Sequence, residues 1–125
     1  MRVILALVLI ILFMSVVSVH AEIVIRTVSW DPVSTYTDGT PVEPAKLPVT
    51  YTVKMDNVVI CTTTNTSCTF PHANADQDHL FTAMARLVTL EESAWSPDYP
   101  WHCPAASVPS TTPNNPIIIP PIRRP

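Results

Sequence analysis

Glycine is almost absent from this chain. Its 125 residues include one, Gly39, so there is no glycine-rich loop to hold a phosphate and no Gly-x-Ser-x-Gly elbow around a nucleophilic serine. Serine, threonine and aspartate are common, but they stand in strand and turn contexts. These absences argue against an enzyme, and we expect no catalytic residues and no cofactor.

Basic residues are also scarce. Seven Lys and Arg are outnumbered by ten Asp and Glu, which gives a formal net charge of −3, and the basic residues cluster only at Arg123-Arg124. A nucleic-acid-binding surface needs a stripe of basic side chains to neutralise phosphates. We therefore expect no nucleic-acid partner.

A long apolar run occurs at the N-terminus. Met1-Arg2 precede VILALVLIILFMSVVSV, and the run ends in Val19-His20-Ala21. A basic start, an apolar run and a small-residue site are typical of a secretory signal peptide, which would span residues 1–21 and be cleaved after Ala21. The alternative is an uncleaved anchor, since about 17 apolar residues is the lower limit for crossing a bilayer. The protein is thus expected to be secreted or periplasmic, or else single-pass membrane-anchored and facing outside the cytoplasm.

Proline is concentrated at the other end of the chain. Pro104–Pro125 holds seven prolines in 22 residues and has neither helical nor strand periodicity. We interpret residues 104–125 as a proline-rich disordered tail or spacer. Its Ile117–Ile119 patch is either passive, an addition to a partner's sheet edge, or a contact with this chain's own domain. The domain itself then spans residues 22–103, a size that usually needs help from disulfides.

Alternating apolar and polar residues predict several short strands. Val49–Asp56 alternates cleanly and ends at an Asp-Asn turn, and further strands are predicted at 57–62 and 67–70. Residues 79–90 also alternate, although their Ala, Met, Arg and Leu residues allow a helix as well. Five to seven short antiparallel strands with turns between them predict an all-β sandwich.

The first segment of the domain is irregular. Arg26 shares a strand face with Val28 and Trp30, while Ile23 and Ile25 lie on the opposite face. Charged side chains are rarely found in a core. We therefore expect a bulge or break near Arg26, which would make 23–25 a separate short strand.

These segments resemble a known family. TVSWDPVSTYTDGTPV, VTYTVKMDN and HLFTAMARL followed by ESAWSP are similar to a fibronectin type III domain of bacterial exported proteins, from Ile23 to about Trp101. The resemblance implies an immunoglobulin-like sandwich, with Trp30 in the core and Tyr51 pointing inward. It also implies a loop that carries Asp38-Gly39, where glycine supplies a positive φ at little cost.

The chain departs from the family pattern at three places. The family's first strand is truncated, and Phe81 stands where the family commonly has a tyrosine whose hydroxyl bonds the backbone. Strand parity places Phe81 and Phe70 in the core. Pro97 and Pro100 predict that the last strand is short or at an edge. The ESAWS stretch resembles half of the Trp-Ser repeat of receptor relatives, in which an arginine, here Arg86, would cover the tryptophan.

Three cysteines form an odd set. Cys61 and Cys68 stand at the facing ends of two predicted strands, and we expect a disulfide between them. Closing that loop would stabilise the fold by about 2.5 kcal/mol in a chain-entropy model; two reduced thiols are the alternative. Cys103 is left over, and three states stay open for it: a thiol, a pairing between chains, or displacement of one of the other two.

Four side chains are candidate metal ligands. His72, His79, His102 and Cys103 are spaced more widely than the usual pairs of zinc ligands. The acidic loop between the first two histidines lacks the glycine and the terminal glutamate of a calcium loop. We therefore expect no metal site.

The predicted loops carry the binding hypothesis. Tyr36, Asp38, Tyr99 and Trp101 are candidate contact residues, because exposed aromatic side chains offer a large area with few rotors; Trp101 packed over the end of the sandwich is an equal alternative. The predicted function is an exported, non-catalytic binding or adhesion module that contacts a protein or cell-surface glycan through its loops or tail. The alternative is a membrane-anchored structural spacer that projects the domain from the cell envelope, and membrane contact is expected only if the N-terminal segment stays uncleaved.

Overall fold

Six β-strands make up the fold in the computed structural model, which describes residues 22–73, 75–103 and 116–124. The strands are β1 (Ile23–Ser29), β2 (Thr50–Met55), β3 (Val58–Thr63), β4 (Ser67–Ala73), β5 (Gln77–Arg86) and β6 (Tyr99–Cys103). One 3₁₀ turn, Pro44–Lys46, lies in the long connection before β2. No α-helix occurs within the described ranges. The predicted all-β class is confirmed, and residues 77–86 are strand rather than helix.

The strands form two antiparallel sheets that pack as an open sandwich. The small sheet pairs β1 with β4, and the larger sheet has the order β3-β2-β5-β6. The core contains the four aromatic residues expected there, each at most 3% exposed: Trp30, Tyr51, Phe70 and Phe81. The Trp30 and Tyr51 ring centroids lie 5.5 Å apart. The hydroxyl of Tyr51 accepts a hydrogen bond from the backbone N–H of Val33 at 3.0 Å, which satisfies this buried polar group.

Positive φ angles occur at Leu90 and in the two turns described next. Asp56 and Asn57 connect β2 to β3 with φ of 50° and 66°, as their tolerance of the left-handed region predicts. Gly39 has a φ of +82°. The preceding Asp38 carboxylate accepts a hydrogen bond from the Thr40 N–H at 2.9 Å and so closes the loop around the glycine. The chain's one glycine therefore stands where a side chain would be strained.

β1 runs without the bulge expected near Arg26. Its register with β4 is regular over all seven residues, from Ile23 opposite Ala73 onward. Arg26 points inward and is 2% exposed. Its guanidinium carbon lies 6.0 Å from the ring centroid of Trp101, and an aromatic face attracts a cation. The prediction of a bulge is wrong, because an aromatic neighbour from another strand lets β1 keep a charge on its inner face.

β6 pairs with β5 only as far as Phe81. Beyond that point, two serines form hydrogen bonds with the same edge of β5. Ser93 and Ser96 are both buried. The Ser93 hydroxyl accepts a hydrogen bond from the Ala85 N–H at 2.9 Å, and the Ser96 hydroxyl accepts one from the Ala83 N–H at 3.0 Å. The serine N–H groups donate in return to the carbonyls of the same two alanines. The two serines thus satisfy β5 backbone groups that no neighbouring strand reaches.

Trp95, between these serines, is covered by a lysine rather than by the expected arginine. The Lys54 ammonium lies 3.9 Å from the Trp95 ring centroid. Arg86 instead forms an ion pair with Glu92, which is opposite it in an isolated bridge. The expectation that Arg86 covers Trp95 is therefore wrong. Because Arg86 is paired with Glu92, the ring face of Trp95 is contacted by Lys54 of β2 instead.

The last strand is short and lies at the edge of the larger sheet, as the prolines predicted. β6 has five residues and, among the described strands, pairs only with β5. Pro100 stands opposite Leu80 in that pairing. A proline is tolerated at this position because an edge strand leaves every second N–H outside the ladder.

Part of the proline-rich C-terminus packs on the sandwich. Residues 116–124, here called the C-terminal segment, bury Ile117 (1% exposed), Ile119 (7%) and Ile122 (0%) and leave Ile118 74% exposed. The prediction of a disordered tail over 104–125 is wrong for this segment, because removing three isoleucines from water opposes the entropy cost of ordering it. Contact with the chain's own domain is the alternative found here, and residues 104–115 lie outside the described residues.

Cys61 of β3 and Cys68 of β4 lie at disulfide distance, as predicted, and so connect the two sheets. A disulfide is compatible with an extracellular protein. Cys103 is buried and stands outside this pair. The signal-peptide prediction concerns Met1–Ala21, which lies outside the described residues. Among the residues that are described, no helix has the length and apolar character to cross a membrane.

Candidate functional site: an acidic cleft beside a histidine pair

Tyr36, one of the four predicted contact residues, is buried. It is 1% exposed, and its hydroxyl donates a hydrogen bond to Glu43 Oε2 at 2.7 Å and accepts one from Lys46 Nζ at 3.0 Å. The guanidinium carbon of Arg124 lies 4.5 Å from the ring centroid. The hydrogen bonds to Tyr36 and Glu91 raise the pKa of Lys46. The prediction of an exposed Tyr36 is wrong, because the 3₁₀ turn and the C-terminal segment cover it.

Asp38 is exposed but engaged within its own loop. Hydrogen bonds from the side chain and then the backbone of Thr40 lower the pKa of Asp38. Arg124 Nε lies 3.6 Å from its carboxylate. Tyr99, at the start of β6, is half-buried and packs against the core. The structure therefore brings Tyr36 and Asp38 together at Arg124 and places Tyr99 apart from them, on β6.

Trp101 packs in a corner of aromatic and imidazole rings. It is 6% exposed, and its ring centroid lies 5.4 Å from His72, 5.8 Å from His79, 5.7 Å from Phe81 and 6.2 Å from Phe70. Of the two roles considered for Trp101, packing is the one found. The residue positions the histidines instead of presenting a contact face.

His72 of β4 and His79 of β5 meet at this corner. Their Nε2 atoms are 2.9 Å apart, and His79 Nδ1 lies 2.6 Å from Asp56 Oδ2. On the other side, His72 Nδ1 lies 3.5 Å from the sulfur of Cys103. Sequence reasoning considered both histidines and Cys103 but missed Asp56, whose place in the turn before β3 was the available signal. Across the described residues, no group of three or more His, Cys, Asp or Glu side chains is arranged to hold a metal ion.

These contacts make the Asp56 carboxylate the acceptor in its hydrogen bond with His79. Hydrogen bonds from His79 and from the Leu80 N–H lower the pKa of Asp56, so the carboxylate accepts and His79 Nδ1 is protonated. The 2.9 Å contact between the two Nε2 atoms needs one of them to donate a proton and the other to accept it. Burial, and next the neighbouring His79, lower the pKa of His72. The surroundings of His72 therefore favour its uncharged form.

An open cleft of about 710 Å³ lies beside the histidine pair. Its lining, here called the acidic cleft, consists of Asp56, Asp78, His79, Leu80, Pro100, Trp101 and His102. His102 contacts Asp78 at 2.7 Å and Asp76 at 2.9 Å, and the hydrogen bond to Asp78 is the main reason that the pKa of His102 is raised. Leu80 is 45% exposed. The cleft thus combines carboxylates on its rim with a small apolar surface.

The thiol and the carboxylates near the acidic cleft differ in exposure. Cys103 is 0% exposed, so the one thiol outside the disulfide is closed to a substrate. The carboxylates of Asp76 and Asp78 are 73% and 88% exposed, and such groups can pair with cations of an approaching molecule. Exposed rim charges mainly steer and select partners.

No protein-family model, curated protein or solved structure matches this chain. Its function is therefore inferred from the fold and from the acidic cleft.

Proposed function

We propose that this chain is an exported, non-catalytic binding module of the fibronectin type III kind, which contacts a protein partner through the acidic cleft. The strand order supports the fold assignment. Immunoglobulin-like sandwiches place strands B and E in one sheet and strands C, F and G in the other, with C′ added in some members. β1 and β4 correspond to B and E, and the order β3-β2-β5-β6 corresponds to C′-C-F-G.

Export is supported by two features of different origin. Met1–Ala21 has the composition of a secretory signal peptide. The Cys61–Cys68 pair connects the two sheets, and disulfides persist in oxidising compartments outside the cytosol. A small two-layer domain benefits from such a link because its core is limited in size.

The acidic cleft is the single observation that carries the binding function. Asp78, whose side chain is 88% exposed and contacts His102, lines the cleft together with the half-exposed Leu80. A Lys or Arg side chain that lies next to an apolar residue would satisfy both features. A peptide segment of a protein offers that combination, and the net charge of −3 favours a basic partner.

A protein partner is favoured over a glycan by the state of the tryptophans. Aromatic side chains on a binding surface contribute through exposed ring area. Trp101 is 6% exposed, and Trp95, which is 38% exposed, has the Lys54 ammonium 3.9 Å from its ring centroid. The buried thiol of Cys103 supports the non-catalytic part of the proposal.

Site-specific photo-crosslinking of the full exported chain tests this function. A benzophenone amino acid in place of Leu80 is expected to give one discrete adduct with a surface or envelope protein, whereas the same group in place of Ile23, which is 70% exposed on β1, gives none. Asp78→Asn and added salt should weaken the adduct, because both reduce the rim charge. Asp31→Asn, an exposed control with the same charge change, should not. Equal adducts at both positions, or none at Leu80, would refute the proposal.

The membrane-anchored spacer differs from this module only in the fate of residues 1–21. N-terminal sequencing of the exported product distinguishes the two. A mature start at Glu22 supports the soluble module, and an intact Met1 in the membrane fraction supports the spacer.

A further inference from the structure

The C-terminal segment is held by main-chain hydrogen bonds of the kind that a bound peptide makes. The Ile117 N–H donates to the Ser29 carbonyl at 2.9 Å. The Ile122 N–H donates to the Thr35 carbonyl at 3.2 Å, and the Ile122 carbonyl accepts from the Thr37 N–H at 3.0 Å. Pairing of this type gives affinity without a covalent connection. The surface that receives it, here called the tail groove, is formed by Ser29-Trp30, Thr35–Thr37 and Glu92-Ser93.

The side chains of the segment alternate between anchors and solvent. Ile117, Ile119 and Ile122 are buried, whereas Ile118 is 74% exposed. Pro120-Pro121 stand between the last two anchors and restrict the backbone there. A restricted peptide loses less entropy on docking. The segment thus has the properties of a good peptide ligand for the tail groove.

Opposite charges meet at the C-terminal end of the contact between the segment and the tail groove. Arg124 lies 3.6 Å from Asp38 and 3.8 Å from Glu43, and its Nη2 donates to the Thr40 hydroxyl at 2.9 Å. The same guanidinium covers the ring of Tyr36. An acidic rim on the tail groove therefore faces a basic end on the segment.

The connection between the sandwich and the segment is long. Twelve residues, 104–115, separate β6 from Pro116. A chain of that length spans at most about 45 Å, which exceeds the roughly 30 Å diameter of a small domain. The segment can therefore reach either the tail groove of its own sandwich or the tail groove of an adjacent molecule.

We propose that two copies of this chain exchange their C-terminal segments, so that each tail groove holds the segment of the other copy in a two-fold dimer. The contacts are identical within one chain and between two chains, so that exchange forfeits none of them. Exchange competes with docking of the segment on its own sandwich, for which the connection sets an effective concentration in the millimolar range. Exchange is therefore favoured where the concentration of copies is high. This self-association goes beyond the proposed function, which concerns an outside partner, and either can fail without the other.

Isotope-resolved cross-linking of the full chain tests the exchange. The Arg124→Lys variant places an amine beside Asp38 and Glu43, which a carbodiimide joins without a spacer. Equal amounts of ¹⁴N and ¹⁵N protein are mixed in denaturant with the disulfide intact, refolded at high concentration and cross-linked. Peptide pairs that combine the two labels report contacts between copies.

Exchange predicts that about half of the cross-links from position 124 carry mixed labels, because each chain draws its partner from an equal mixture. The link from Lys46 to Glu91, which lie 3.1 Å apart within the sandwich, is the internal control and should join only equal labels. Ile122→Asp should abolish the mixed pairs, and Ile118→Asp should keep them. Same-label pairs alone at position 124 would overturn the proposal. Mixed labels in the Lys46 control would also overturn it, because they would indicate aggregation that does not involve the segment.

Discussion

Replacing Ile122 with alanine tests whether the C-terminal segment belongs to the core. Ile122 is 0% exposed and lies in one buried cluster with Trp30 and Tyr36. Truncating a buried isoleucine to alanine costs about 2–5 kcal/mol, from the lost transfer free energy and the cavity left behind. We expect the free energy of unfolding to fall by about 3 kcal/mol, a value within that range.

Urea unfolding followed by tryptophan fluorescence measures this loss. Trp30 forms a bridge with Ile117, so its emission reports on both the sandwich and the seated segment. With a urea dependence of about 1.5–2 kcal/mol per molar, a loss of about 3 kcal/mol lowers the midpoint by about 1.5–2 M. The slope itself should change little if the whole domain still unfolds in one step.

Ile118→Ala is the matched control. It makes the same chemical change in the same segment at a side chain that is 74% exposed. An exposed substitution of this kind changes stability by less than about 0.5 kcal/mol. Equal midpoints for Ile122→Ala and Ile118→Ala would refute the reasoning, since they would mean that burial of Ile122 contributes nothing to the folded state.

Three further perturbations test other parts of the molecule. Because burial lowers the pKa of His72, the unfolded chain takes up a proton first, and stability is expected to fall as the pH drops below about 6.5. In thermal melts between pH 7.5 and 5.5, the midpoint of the native chain should fall relative to that of His72→Phe, because the opposite contribution of His102, whose pKa is raised, is common to both chains. Reduction of the Cys61–Cys68 disulfide should remove roughly 2.5 kcal/mol, seen as a lower urea midpoint with reductant; an unchanged midpoint would contradict the link between the sheets. Ser93→Ala leaves a buried N–H of β5 without its acceptor and should cost about 1–3 kcal/mol in the same assay, whereas Ser34→Ala, at an exposed site, should match the native chain.

Elements with a local pattern were predictable from the sequence. The alternation in β2 and β5 identified their inner faces, since successive side chains of a strand point to opposite sides whatever the strand packs against. Asp56-Asn57 identified a turn, and Pro100 identified an edge, because each follows from backbone geometry at that residue.

Features that depend on distant partners were missed. Arg26 was assigned to a bulge because hydropathy treats arginine as a surface residue, and nothing near it in sequence indicates that Trp101 of β6 lies within 6.0 Å. Tyr36 stood in a polar loop and was assigned to solvent, although Arg124 covers its ring. Ile122 was assigned to a disordered tail because proline density hides the spacing of the buried isoleucines.

The candidate site was predictable only in part. His72 and His79 were visible as a pair in one connection, but their meeting requires β4 and β5, which belong to different sheets, to face each other at one corner. Asp56 joins them because β2 pairs with β5, a contact that sequence spacing does not reveal. The acidic cleft lies where β5, β6 and the turn after β2 meet, so it also depends on strand pairings that sequence spacing does not reveal.

The contacts of the C-terminal segment also set an order of events during folding. They connect residues far apart in the chain, 84 positions in the case of Arg124 and Thr40, whereas the β2–β3 hairpin closes across a two-residue turn. Closing a long loop costs more entropy before its contacts can form, so the hairpin pairs early and the segment arrives last. A nascent molecule halted before that arrival has paired strands but lacks the contacts of Ile117 with Trp30 and of Ile122 with Tyr36. The time during which the protein is prone to aggregate is therefore governed by the docking of Ile122 more than by the pairing of any strand.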